Sequence, residues 1–152
     1  FESKQDLFLE LINDWLGNID KRLENLSLKK AETMDSITEI NSAALSIFKE
    51  ASGNAPIFLE IWLRTARDNE IYEKLVEPYN KYLEYFKKLI KESVEDNIIK
   101  DIDSEATARL IIALSMGLLL QSYFEKENQN WDNIINEAFL IFTQGILANG
   151  GR

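Results

Sequence analysis

Any chemistry in this chain must come from aromatic rings, hydroxyls, amines and carboxylates, because the sequence contains neither histidine nor cysteine. The richest concentration is aromatic. Trp15, Phe48, Trp62, Tyr72, Tyr79, Tyr82, Phe86 and Tyr123, together with Met116, fall on stretches with helical periodicity. On facing helices such side chains are either plain core packing or the wall of a small-molecule cavity, apolar with a few hydroxyls to orient a ligand. Trp15, Phe48, Trp62, Tyr79, Tyr82, Phe86 and Met116 are the candidate ligand-binding residues. The ligand they suit is apolar or aromatic. In "YNKYLEY", Tyr79 and Tyr82 share a face, and Tyr85 is expected to lie off it, exposed. Glu60 and Arg64 sit four residues apart and suit a solvated ion pair; pointed inward, either would select ligand charge.

The missing residue types exclude much. Without histidine there are no Ser–His or Cys–His nucleophile pairs and no Glu-x-x-His ligands for a di-iron bundle. Without cysteine there are no disulfides and no thiolate metal sites. The acidic stretches "ESVEDN" and "EKEN" lack the alternating ligands and central glycine of a calcium loop. No enzyme activity, cofactor or metal is expected. Seventeen basic against 26 acidic residues give a net charge of −9, which repels phosphate backbones, so the chain alone should not hold DNA or RNA. The longest strongly apolar run, Leu110 to Leu120, is interrupted by Ser115 and Gly117 and falls short of the roughly 20 residues that span a bilayer. No membrane partner is expected, and the location that fits is cytoplasmic.

The elements that position these residues read as helices throughout. Only two prolines and six glycines punctuate 152 residues. A first helix runs from about Ser3, its capping residue, to Leu26, with Leu7, Phe8, Leu11, Ile12, Trp15 and Ile19 on one side. A second spans roughly Ala31 to Ala51, including Met34, and is expected to close at Gly53 in the left-handed conformation. Asn54 can cap a short third helix whose first turn contains Pro56. The long segment from Asn69 to Asn97 contains Pro78, which should kink or split it. "IIKDID" is a linker; Asp103 or Ser104 then caps the most apolar helix, expected at the centre of the fold. The last helix runs from about Trp131 to Leu147. The fold class is all-α: about six helices in an orthogonal, bundle-like single domain spanning residues 1–152.

A helix apolar on nearly all sides in a small domain needs more partners than that domain offers, and a second copy supplies them. Gly117, Gln121, Phe124, Ile135, Phe139 and Phe142, from the last two helices, are the expected homodimer interface.

Four stretches carry a resemblance. "FESKQDLFLELI" resembles the junction segment of TetR-family transcriptional regulators, with Phe1, Lys4 and Leu7 at positions of a Tyr-x-x-Phe-x-x-Lys-x-x-Leu pattern and Phe8 extending the apolar run. "FLEIWLRTARDNEIYEKL" resembles the family's sixth helix entering its seventh. "DSEATARLIIALSMGLLLQ", with Gly117, resembles the eighth, and "WDNIINEAFLIFTQGIL" the ninth. The resemblance implies a regulatory domain that takes up a small-molecule effector inside a helical cavity and dimerises through its last two helices. It also implies that residues 1–26 are the linker helix to a DNA-reading domain absent from this chain, so that DNA is contacted only through that missing part. Leu11, Trp15 and Ile19 would then couple cavity to linker. A helical scaffold or adaptor that binds a partner protein in a groove, with no effector, is the alternative.

Overall fold

The computed structural model describes residues 4–30, 36–53, 55–125 and 130–148. Six helices follow in order: α1 (Lys4–Lys30), α2 (Ser36–Gly53), α3 (Ala55–Thr65), α4 (Asn69–Glu95), α5 (Ser104–Phe124) and α6 (Trp131–Ile146). The all-α architecture expected from sequence is the one observed, and the only β pairing among the described residues is an isolated bridge between Ile99 and Leu147. The expectations resting on Phe1, Ser3, Met34 and Asn54 lie outside the described residues.

The helix boundaries follow local chemistry. Asp68 starts α4 by accepting from the Glu70 and Ile71 backbone N–H groups, and Asp103 starts α5 by accepting from Ala106. Asn130 does the same for α6 through the Asn133 N–H. The left-handed stop falls at Asn97, with φ of 57°, and not at Gly53, which remains helical. Behind Asn97, the Ile98 N–H reaches the Ser93 carbonyl at 2.9 Å and the Asn97 N–H reaches Val94 at 3.0 Å. That pair of bonds is the Schellman closure, which satisfies carbonyls the helix end would otherwise orphan.

Pro78 does not split α4, which runs unbroken for 27 residues. One missing backbone bond costs about 3 kcal/mol. The buried face of Ile71, Leu83, Phe86, Leu89 and Ile90 offsets it along the same helix.

A second correction concerns the centre of the fold. The helix that touches all five others is α2, not α5; the main partners of α5 are α4 and α2. The small residues Ala43 and Ala44 let neighbours approach α2 closely. Helix α5 is long and apolar enough, by length and composition, to cross a membrane, although its strongest run is short. It buries Ala108, Ile111, Leu118 and Leu119 in the core yet leaves its opposite side open.

Beyond Asn97 the linker is tied to the end of α6. Lys100 N–H donates to the Ile146 carbonyl and Ala148 N–H to Ile98, while the Lys100 ammonium donates to the Gly145 carbonyl at 2.7 Å. A cation there also suits the negative end of the α6 dipole.

Two hydrophobic clusters result. The larger joins α2, α4, α5 and α6, with Phe48, Phe86, Ile111, Ile135 and Phe139 among its buried members. The smaller holds Phe8 and Ile12 of α1 against Ile61 of α3 and Ile71 of α4.

Candidate functional site

Among the aromatic candidates, Phe48 and Phe86 are buried in the larger cluster, and Tyr79, Tyr82 and Met116 pack half-buried against it. Five of the seven expected ligand-binding residues are therefore members or neighbours of one cluster. Trp62 is not. It is 41% exposed on α3 and leans against Phe58 with ring centroids 6.2 Å apart. Trp15 lies on α1, and its side chain is outside the described set. Tyr72 is also exposed.

Tyr85 corrects the reading of "YNKYLEY". The step from Tyr82 to Tyr85 is again three residues, so Tyr85 stays on the flank of the buried face. Its ring meets Phe86 edge-on at 5.6 Å, and its hydroxyl donates to Glu39 Oε1 on α2 at 2.9 Å. Burial first, then the bond to the Glu39 carboxylate, pushes the Tyr85 phenol well above its ordinary value, so it stays a donor.

Glu39 is the functional candidate that sequence reasoning passed over. Its side chain is only 2% exposed, and Oε2 is buried with no hydrogen-bond partner. Burying a carboxylate is costly unless every oxygen is satisfied, so such a group is rare and informative. A signal existed: Glu39 is the only charged residue between Ser36 and Phe48. Asn41 Oδ1 is also buried without a partner. An amide can rotate and exchange acceptor for donor, which a carboxylate cannot.

A polar group lies where α4 meets α5. Arg109 donates to Glu105 at 2.8 Å and to the Tyr79 hydroxyl at 3.2 Å, while Lys87 pairs with Glu84 at 2.8 Å and stands 3.8 Å from Glu105. The hydrogen bond from Arg109 holds the Glu105 carboxyl below its ordinary range. Glu84, Glu105 and Arg109 are exposed, Lys87 and Tyr79 half-buried, and together they tie two helices at the surface. Glu60 and Arg64 form the expected solvated pair, at 2.6 Å. The Arg64 guanidinium also covers the Phe8 ring at 4.4 Å and so pins α3 to α1.

The expected interface residues divide. Ile135 and Phe139 are core residues, 0% and 1% exposed, and so cannot lie on an outer face. They occupy the inward stripe of α6 that covers α2. Phe142 is half-buried against the same cluster. Gly117, Gln121 and Phe124 do face outward on α5, and a Cβ built on Gly117 would meet nothing within 4 Å. The glycine therefore does not serve close packing within the chain. Sequence reasoning missed Leu110 and Leu120 on the same helix and Leu140 and Ile141 on α6, all exposed. Leu140 and Ile141 fall between the inward positions Phe139 and Phe142, and this surplus of apolar residues over one stripe was legible in principle.

Among the described residues, no group of three or more acidic side chains could hold a metal ion.

No family model matches the chain, and no curated protein matches it in sequence. Solved structures do match in fold. A TetR transcription regulator from Haloarcula marismortui superimposes with a TM-score of 0.77 at 13% identity, over 97% of this chain and 80% of that one. A Rhodococcus protein of unknown function gives 0.77 at 15% identity, over 97% and 75%. The Bacillus subtilis transcriptional regulator FadR, solved in complex with stearoyl-CoA, gives 0.73 at 15% identity, over 96% and 78%. The fold of this chain is thus one that transcription regulators of the TetR type use.

Proposed function

We propose that this chain is the regulatory part of a TetR-like transcription regulator, which binds a small apolar or aromatic effector and forms a homodimer through its last two helices. One observation carries most of this reading: the outer face of α5 and α6. On α5, Leu110 is 58% exposed and Phe124 85%, with Leu120 exposed and Gly117 open between them; on α6, Ile141 is 70% exposed and Leu140 is exposed too. Large apolar side chains left uncovered along a helix mark a surface that something covers. A second copy suits it because a two-fold axis would set α5 and α6 against α5 and α6, with Gly117 allowing close approach. The interface expected here consists of Leu110, Gly117, Leu120, Gln121, Phe124, Leu140 and Ile141, without Ile135 and Phe139.

Effector binding draws support from the half-buried Tyr79, Tyr82 and Met116 beside Phe48 and Phe86. A ligand favouring one arrangement of the helices would shift their population by its differential affinity. The element suited to move is α1, held by the smaller cluster. In this reading DNA contact belongs to a helix-turn-helix joined to the start of α1, and the protein works in the cytoplasm. An adaptor role remains the second reading, favoured by the outward Trp62 and Leu63 of α3, the latter 72% exposed.

Sedimentation equilibrium tests the dimer. The chain should sediment at twice its mass at micromolar concentration. Phe124→Asp should give a folded monomer, because a charge buried in the interface is costly. Phe139→Asp should instead unfold the chain. A wild-type monomer, or a Phe124→Asp dimer of unchanged strength, would remove this interface.

A further inference from the structure

We infer that Glu39, held by Tyr85, is the anchor for a hydrogen-bond-donating, positively charged nitrogen on the effector. The inference rests on the effector reading above and narrows it to one ligand chemistry.

The geometry leaves few other solutions. Glu39 projects from the central helix α2 toward α4, where the Tyr85 hydroxyl donates to Oε1 at 2.9 Å. That bond fixes the carboxylate and leaves Oε2 as a buried acceptor with no partner. What satisfies this atom is a donor, and the donor that also balances the carboxylate charge is cationic. Nothing basic is paired with Glu39 among the described residues: the ion pairs of α4 involve Lys74, Lys81, Lys87, Lys88 and Lys91, each with another acid. The surroundings fit the rest of such a ligand. Ile40 and Phe86 are buried in the larger cluster and Tyr82 packs half-buried on it. The side chains nearest in sequence to Glu39 and Tyr85 thus include apolar and aromatic ones that suit the body carrying the nitrogen. An ammonium or amidinium on an aromatic or aliphatic frame meets both requirements. A carboxylate or phosphate head would face Glu39 with like charge.

Three probes with one body and different heads separate the possibilities: naphthylmethylamine, naphthylmethanol and naphthylacetate, measured by equilibrium dialysis against the chain at neutral pH and high salt. High salt matters because the net charge of −9 attracts any cation weakly, and screening removes that contribution but not a buried one. The amine should bind about tenfold or more tightly than the alcohol, and the acetate least. Glu39→Gln, which changes the net charge by a single unit, should bring amine and alcohol to within about twofold. Equal binding of all three probes by the wild-type chain keeps the effector reading and overturns the anchor. So does an amine preference that survives in Glu39→Gln. Binding of none of them overturns the anchor together with the effector reading. Should Glu39→Gln fail to fold, the wild-type comparison at high salt decides by itself, and Tyr85→Phe, which loosens the carboxylate, should reduce the amine preference without abolishing it.

Discussion

The body built from α2, α4, α5 and α6 and the small cluster under α1 and α3 use the same kinds of side chain on different scales. The body buries fourteen hydrophobic residues, joined by Phe58 of α3 and by Ile99, in one connected cluster among the described residues, and closes its far end with the Ile99–Leu147 bridge and the Lys100 tie to α6. The small cluster has, among the described residues, four: Phe8, Ile12, Ile61 and Ile71, with Arg64 laid over the Phe8 ring. Buried apolar area sets the cost of opening a region, so the two should open with different free energies. If the proposed function holds and ligand binding is reported through α1, that inequality would let the body keep its shape while α1 moves at small cost.

Substitutions in each region sharpen the contrast. The largest loss is expected for Phe86→Ala, which empties a fully buried site at the junction of α4 with α2 and should cost about 3–5 kcal/mol. Chemical denaturation would register it as one cooperative transition at a lower midpoint. Ile12→Ala should cost about 2 kcal/mol or more if α1 is integral to the global transition. With α1 free to open separately, the main midpoint should hardly move while α1 amides lose protection. A full shift of the main midpoint would show that the two regions are one unit.

Tyr85→Phe probes the internal tie between α2 and α4 and should cost about 1–3 kcal/mol at neutral pH, because it leaves a buried carboxylate oxygen unpaired. Its sharper readout is alkaline stability. The phenol is raised in the folded state above its ordinary 10.0, so the proton is held more firmly when folded. That contribution is fully present below pH 10 and is lost as pH climbs beyond it. The gap between wild type and Tyr85→Phe should therefore be constant below about pH 9 and narrow above 10. A parallel pair of curves would mean the Tyr85 hydroxyl is not held by Glu39.

Much of this architecture was legible in the sequence because helical periodicity is strong and local. The α6 stripe, the cap at Asp103 and the place of Pro56 in the first turn of α3 are decided within a few residues. Which helix is central was not legible. The hydrophobicity of α5 singled it out, but α2, rich in alanine and serine, is the one narrow enough for five neighbours. The outcome at Pro78 was hidden for a similar reason, since propensity argues against the helix and tertiary packing overrides it. Phe139 and Ile141 show the limit for the candidate interface. Two residues apart on an apolar helix, one is core and the other is exposed, and only the position of α2 decides which.

Native-state hydrogen exchange, resolved by helix, tests the unequal division most directly. The account predicts that buried-face amides of α1 and α3 exchange through openings that cost several kcal/mol less than those of α4 and α5. Phe86→Ala should speed both sets, while Ile12→Ala should speed only the first. A single opening free energy shared by all the helices, shifting equally in both variants, would contradict it.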